Sequence, residues 1–242
     1  MKILITGAGG FLARNVKERF EREGHLVVSV SHLDEEGLFQ ETRDCQFVFH
    51  LAAVQRSENE QEFYDGNIGY TKQLIGCLEA HENACPVLFT TSTAIRRPSV
   101  FSKTKIEAER LLRMHVDRTG SSLYVYMLNH IYGRYGKPNF NNVIATFCYN
   151  VSHGIPIVVD DPSAELNLTY VDDLLIDFMA CVDGRRHVNG DGHLVPSIIV
   201  RKTIGELVEL LGRIKRGDPC TDFFEVNMND TYAYFNNLRD TF

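Results

Sequence analysis

The opening stretch, 1-MKILITGAGGFLA-13, constrains the fold more than any other part of the chain. A short apolar run, residues 2 to 6, meets Gly7, Gly9 and Gly10 directly, and residues able to open a helix follow. Glycines placed there allow a tight turn and let backbone N–H groups approach a pyrophosphate, whose charge is favoured at a helix N-terminus. Gly7, Gly10 and Ala13 keep a G-x-x-G-x-x-A spacing. Between a first strand and a first helix, that spacing reads as a dinucleotide-binding turn.

The rest of the chain repeats the strand-then-helix order. Apolar, partly β-branched runs at 2–6, 26–30, 46–52, 87–91 and 123–128 predict strands, and the intervening segments 11–23, 58–82 and 102–119 predict helices. Continuous apolar strands fit a parallel sheet covered on both faces, and right-handed crossovers then make it doubly wound. Beyond residue 130 the pattern weakens into a loop, 132-YGRYGKPNFNN-142, a helix at 141–153, short strands at 156–159 and 166–170, and helices at 172–183 and 202–214. This predicts an α/β protein with a dinucleotide-binding domain over 1–130 and a small substrate lobe over 131–242, interleaved with it. No Asp or Glu closes the second strand to hold a ribose 2′-OH; Ser31 and His32 stand there instead. A 2′-phosphate then fits, which favours NADP(H) over NAD(H) with His32 as its contact, the alternative being that His32 is a solvated loop residue.

Composition excludes several classes. At 242 residues, 44% hydrophobic and 24% charged, the chain has no disordered or fibrous bias. It carries no signal-like start and no apolar run long enough to span a bilayer, which predicts a cytoplasmic protein without a membrane partner. The net charge of −7 argues against nucleic acid as a partner. Its six cysteines include no CxxC pair, so they read as reduced thiols and no metal site is expected. Asp172 and Asp173 read as the start of a helix.

Taken together, 7-GAGGFLA-13, 50-HLAA-53, 66-GNIGYT-71, 88-LFTTS-92, 101-FSKTKIEAE-109 and 170-YVDDL-174 resemble the extended short-chain dehydrogenase/reductase (epimerase/dehydratase) superfamily, over nearly the whole chain. Within it, 134-RYGKPNFNNVIATFCYN-150, 165-ELNLTYVDD-173 and 203-TIGELVELL-211 resemble the reductase domain of bacterial capsular-polysaccharide enzymes. Those enzymes make UDP-2-acetamido-2,6-dideoxy-L-talose on the way to UDP-N-acetyl-L-fucosamine. The resemblance implies a Rossmann-type fold and a nucleotide-sugar substrate. It also implies a homodimer built on the helices at 58–82 and 102–119. A C-terminal cupin domain would begin about where 231-TYAYFNNLRDTF-242 ends this chain. That implies either a single-domain protein working with a separate cupin epimerase, or a chain that stops at the domain boundary.

In that family a Ser or Thr and a Tyr-x-x-x-Lys helix do the chemistry. Lys holds the nicotinamide ribose and lowers the Tyr pKa, and Tyr protonates the carbonyl oxygen as hydride arrives. The resemblance maps Ser92 and Lys105 onto the Ser and the Lys, and Phe101 onto the Tyr, with Glu109 anchoring the register at position +8. The cofactor contacts it implies are Gly7, Gly10, Phe11 and Leu12 in the turn, Leu51, Ala52 and Ala53 after the third strand, and Lys105. Asn129, Lys137 and Asn142 are the expected substrate contacts. Phe101 has no proton to give. Thr91, Ser92, Thr93, Ser102, His130 and Tyr132 are nearby donors, and Arg96, Arg97 and Lys103 read as solvated charge. Two functions stay open: a reductase or epimerase with altered acid catalysis, and a silent dinucleotide-binding sensor or scaffold.

Overall fold

The computed structural model describes residues 1–185 and 192–238. Residues 186–191 and 239–242 of the expected substrate lobe, the latter also in the 231–242 stretch, lie outside them. The chain divides into two compact units, Met1–Leu128 with Asp177–Val195, and Asn129–Ile176 with Pro196–Phe242. The chain therefore passes from the first unit to the second near residue 129, returns at 177 and leaves again at 196.

The first unit is built on β1 (Lys2–Thr6), β2 (Leu26–Val30), β3 (Phe47–His50), β4 (Val87–Ser92), β5 (Leu123–Leu128) and a strand near its end, His193–Leu194. They form a six-stranded sheet in the order β2-β1-β3-β4-β5 and then His193–Leu194. Every pairing is parallel, with Ile3 beside both Val27 and Phe47, Val48 beside Val87, and Val87 beside Leu123. Consecutive strand residues such as Ile3, Leu4 and Ile5 are all fully buried, as a sheet covered on both faces requires. One face carries an aromatic cluster in which Phe49 packs on Phe20 at 5.1 Å and Phe178 on Tyr126 at 5.0 Å. The other carries Leu4, Val48, Val87, Phe89 and Val125 against Tyr70, Leu74, Ala108 and Leu112.

The covering helices of this unit are α1 (Phe11–Arg22), α2 (Glu35–Glu41), α3 (Glu60–Phe63), α4 (Tyr70–Ala80) and α5 (Val100–Thr119). The single helix expected over 58–82 is instead two helices joined by a π-helical turn, Tyr64–Gly69. Gly66 in that turn lets Val54 approach closely, since a Cβ there would meet Val54 Cγ2 at 2.4 Å. Helix α5 starts at a reciprocal cap in which Ser99 Oγ accepts from the Ser102 amide and Ser102 Oγ accepts from the Ser99 amide. It stops at Gly120, left-handed at φ 71°.

The second unit holds a sheet in which β6 (His130–Tyr132) runs parallel to β7 (Glu165–Tyr170). His193–Leu194 is β8 in chain order, and β9 (Val200–Thr203) runs antiparallel to β7. Helices α6 (Val143–Ser152), α8 (Ile204–Arg216) and α9 (Phe223–Asn236) belong to it, while α7 (Val171–Val182) starts in this unit and ends in the first. Bidentate contact of Arg213 with Glu225, at 2.8 and 3.1 Å, ties α8 to α9. The strand expected at 156–159 does not form: Val158 is 84% exposed, so the run has no buried face to pay for its ordering. Among the described residues no helix is long and apolar enough to cross a membrane.

Candidate active site

The chain moves from β1 outward to β2 and then crosses to β3 on the other side of β1, so the strand order reverses between β1 and β3. Ligands of doubly wound sheets bind outside the strand carboxyl ends at such a point. Thr6, His50 and Ser92 close β1, β3 and β4 on that edge.

The glycine turn has the geometry that the sequence requires. Gly7 is left-handed at φ 82°, and a Cβ on it would lie 2.9 Å from Ala52 Cα. Its N–H donates to Val30 C=O at 3.0 Å, and Gly10 N–H donates back to Gly7 C=O at 2.8 Å. Gly10 is the N-cap of α1 and offers no side-chain cap, and no acid stands in the helix's first turn. The Phe11 and Leu12 amides precede the first helical bond, Arg14 N–H to Gly10 C=O at 3.1 Å, so they are donors for an anion. Leu51, Ala52 and Ala53 are half-buried beyond β3, and the Ala52 amide donates to Thr6 Oγ1 at 3.2 Å. His32 is exposed, and Asp34 just beyond it caps α2 by accepting from Gly37 N–H at 2.9 Å.

A hydrogen-bond chain with a defined direction lies beneath this edge. Thr71 Oγ1 donates to Asn67 C=O at 2.6 Å, so it must accept from His50 Nε2, 2.8 Å away. Burial, with the Lys105 charge adding to it, pushes the His50 pKa down to about 3, so the ring is neutral and its Nδ1 accepts from Thr6 Oγ1 at 2.8 Å. From the π-helical turn, the Asn67 carboxamide accepts from Val54 N–H at 2.8 Å and donates to Val54 C=O at 3.1 Å and Thr104 Oγ1 at 2.9 Å. The glycine turn, the 51–54 loop and α5 are thus held together by buried polar side chains. His50 and Asn67 were visible only as letters within 50-HLAA-53 and 66-GNIGYT-71; no spacing announced their role.

Helix α5 presents Phe101 and Lys105 one turn apart, hence on one face. Lys105 is 3% exposed and its Nζ lies 3.8 Å from the centre of the Phe89 ring. Among the described residues no carboxylate is within ion-pair distance of it. Burial pulls the Lys105 pKa down to about 7, against the opposing pull of Glu109 one turn on. Glu109 itself is shared between Arg113 at 2.7 Å and His193 at 2.9 Å. Thr91 follows Phe89 on the same strand face and its hydroxyl is buried without a partner. Ser92 caps the 3₁₀ turn Thr93–Arg96 by accepting from Ala94 N–H at 3.1 Å.

In the second unit the two carboxamide atoms of Asn129 are buried and have no protein hydrogen-bond partner. Lys137 is exposed, with Nζ 5.1 Å from the Phe140 ring centre. Its loop holds Tyr135 and Asn139 in the left-handed region, at φ 65° and 56°. Asn142 is engaged within the unit: its Oδ1 caps α6 through Ala145 N–H at 3.0 Å and its Nδ2 donates to Ile131 C=O at 3.1 Å. With both ends of its carboxamide engaged, it shapes the loop. Tyr132 is a core residue packed on Tyr170 and Phe224, and His130 is exposed. Asp172 lies in the first turn of α7 and pairs with Arg134 at 3.0 Å. Among the described residues no group of His, Cys, Asp or Glu could hold a metal ion.

Residues 3–190 match the model of the NAD dependent epimerase/dehydratase family. The chain is 34% identical over 213 residues to a UDP-2-acetamido-2,6-beta-L-arabino-hexul-4-ose reductase of Pseudomonas aeruginosa, covering 87% of this chain and 57% of that one. The chain thus spans little more than half the length of this curated relative. The structure is similar to the capsular polysaccharide assembling protein CapF from Staphylococcus aureus, with a TM-score of 0.87 and 30% identity over 97% of this chain and 66% of that one. A UDP-glucuronic acid 4-epimerase from Bacillus cereus, solved with UDP-glucuronic acid and NAD, shares the fold at a TM-score of 0.81 and 16% identity, over 99% of this chain and all of that one.

Proposed function

The chain belongs to the NAD dependent epimerase/dehydratase family, and on that premise we propose that it is an NADP(H)-dependent reductase or epimerase of a UDP-linked 4-keto-6-deoxy amino sugar, with altered acid catalysis. The observation that carries this reading is the buried Lys105 ammonium on Phe89, one helical turn from Phe101, on the unit whose glycine turn offers the Phe11 and Leu12 amides. The likeness to a UDP-sugar 4-keto reductase supports the substrate class.

The site suits a dinucleotide. Gly7 and Gly10 hold the turn, the α1 amides receive the pyrophosphate, the 51–53 segment lines the rim, and Lys105 donates to the nicotinamide ribose. The bound cofactor supplies hydride to the carbonyl carbon. Lys105 orients it and Ser92 donates a hydrogen bond toward the carbonyl oxygen; in the second unit, Asn129 and Lys137 are the candidates for nucleotide-sugar recognition. His32 favours a 2′-phosphate, but Asp34, Glu35 and Glu36 follow it closely and oppose one, so the preference for NADPH is modest. A cytoplasmic homodimer in surface-polysaccharide synthesis completes the reading.

Phe101 favours a second reading, a silent protein that binds dinucleotide as a sensor or scaffold. One experiment separates the two. NADPH, NADH and UDP-sugars are titrated by calorimetry, and NADPH oxidation is followed with a UDP-linked 2-acetamido-2,6-dideoxy-4-keto hexose. Oxidation by the wild type or by Phe101→Tyr supports the reductase. Binding of NADPH without oxidation by either protein selects the silent reading, and absence of dinucleotide binding rejects both.

A further inference from the structure

If the site reduces a carbonyl, the oxygen needs a proton that Phe101 cannot supply. The groups around it are quickly narrowed. His50 stays neutral, and both its ring nitrogens are committed, to Thr6 and Thr71. The Tyr70 hydroxyl donates to Ser31 C=O at 3.3 Å, and burial pushes it up to about 12. Ser92 and Thr91 are aliphatic alcohols, which hold their protons at neutral pH. His193 is bound to Glu109. Among these groups Lys105 is the strong acid: an ammonium with three N–H groups, 3% exposed, resting on the Phe89 ring and on the same helix face as Phe101.

We propose that Lys105 is the proton donor of this reaction, delivering its proton to the substrate carbonyl oxygen directly or across one water, in place of the absent phenol. The inference rests on the reductase reading. As the cofactor's hydride bonds to the carbonyl carbon, the C=O π pair moves to oxygen and takes a proton from Lys105 Nζ. The products are the alcohol, the oxidised cofactor and a neutral amine, which regains its proton from solvent. A strong ammonium acid is what this step needs, and the surroundings make one. The nearest charge opposing deprotonation is Glu109, whose carboxylate is already divided between Arg113 and His193, and His50 on β3 carries no charge. Burial accordingly draws Lys105 down to about 7, where donor and acceptor forms are both populated at neutral pH.

The test reads the amine by itself and then at work. Lysine labelled with ¹³C at Cε is incorporated into the cofactor-free protein, the Lys105 signal is assigned by its loss in Lys105→Arg, and its shift is followed with pH. The expected midpoint is about 7, and one above about 9.5 overturns the proposal. In NADPH-dependent reduction of the UDP-linked 4-keto sugar, wild-type kcat/KM should fall about tenfold per pH unit above that same midpoint. Lys105→Arg, whose guanidinium can bond the ribose but does not give up a proton, should lose about 10²-fold or more in kcat with NADPH still bound. Turnover of Lys105→Arg within about threefold of wild type overturns the proposal. So does a wild type that is inactive while Phe101→Tyr is active, which leaves the reductase fold reading standing. Inactivity of both proteins removes the reductase reading and this inference with it.

Discussion

At the scale of single residues, two buried bases carry measurable consequences for stability. The folded pKa of Lys105 lies below its unfolded value of 10.5, at about 7. The unfolded chain therefore binds the extra proton between those values, and stability rises with pH across that window. Below about 7 the full cost of burying the charge is present. Lys105→Met removes that cost, so the cofactor-free variant should be more stable than wild type at pH 6, by on the order of a few kcal/mol, with the gap closing toward pH 10. Urea unfolding at both pH values checks this; parallel midpoints would reject it. His50 has the same sign at lower pH. Its folded pKa of about 3 lies below the ordinary imidazole value of 6.5, so stability is lost as pH falls from 6.5 toward 3.

At the scale of elements, two local devices position the site. The π-helical turn Tyr64–Gly69 points the buried Asn67 carboxamide at both backbone groups of Val54. Asn67→Ala leaves a partly buried amide and carbonyl unpaired, which should cost about 2–4 kcal/mol and weaken dinucleotide binding as the 51–54 loop loosens. Thermal unfolding and NADPH calorimetry check the two effects. The glycine turn divides its labour. A side chain on Gly7 would strike the Ala52 backbone, whereas one on Gly10 meets only Gly7 O, at 3.1 Å, in the turn proposed to receive the phosphate. Gly10→Val should therefore abolish NADPH binding while unfolding remains cooperative. Wild-type affinity in that variant would refute the role of the turn.

At the scale of the whole molecule, ligand binding should appear in both units. NADPH at a hundred times its Kd should stabilise the protein by about 2.7 kcal/mol, read as a concentration-dependent rise in Tm. A UDP-sugar at saturation should slow amide exchange in the 134–142 loop, where Asn129 just upstream has an unpaired carboxamide and Tyr135 holds a left-handed backbone. Unchanged exchange there would remove the second unit from substrate recognition.

The parallel sheet and the glycine turn were legible in the sequence for one reason: each rests on local chemistry. Apolar, partly β-branched runs at 2–6, 26–30, 87–91 and 123–128 are what two covered faces demand, and Gly7 is where the chain must turn left-handed beside a neighbour's backbone. The same is true of Phe101 and Lys105, whose four-residue spacing on a helix sets a shared face without reference to anything else. Elements that depend on distant partners escaped. The two residues of β8 are a strand only because Val125 and Tyr126 are beside them, and 156–159 is apolar yet finds no edge to join. The interruption of the 58–82 helix and the commitment of Asn142 to α6 and Ile131 are likewise invisible along the chain. Tertiary structure alone decided that His50 is neutral and that Lys105 is buried with, among the described residues, no carboxylate at ion-pair distance, because desolvation and hydrogen bonding belong to the folded surroundings of a side chain.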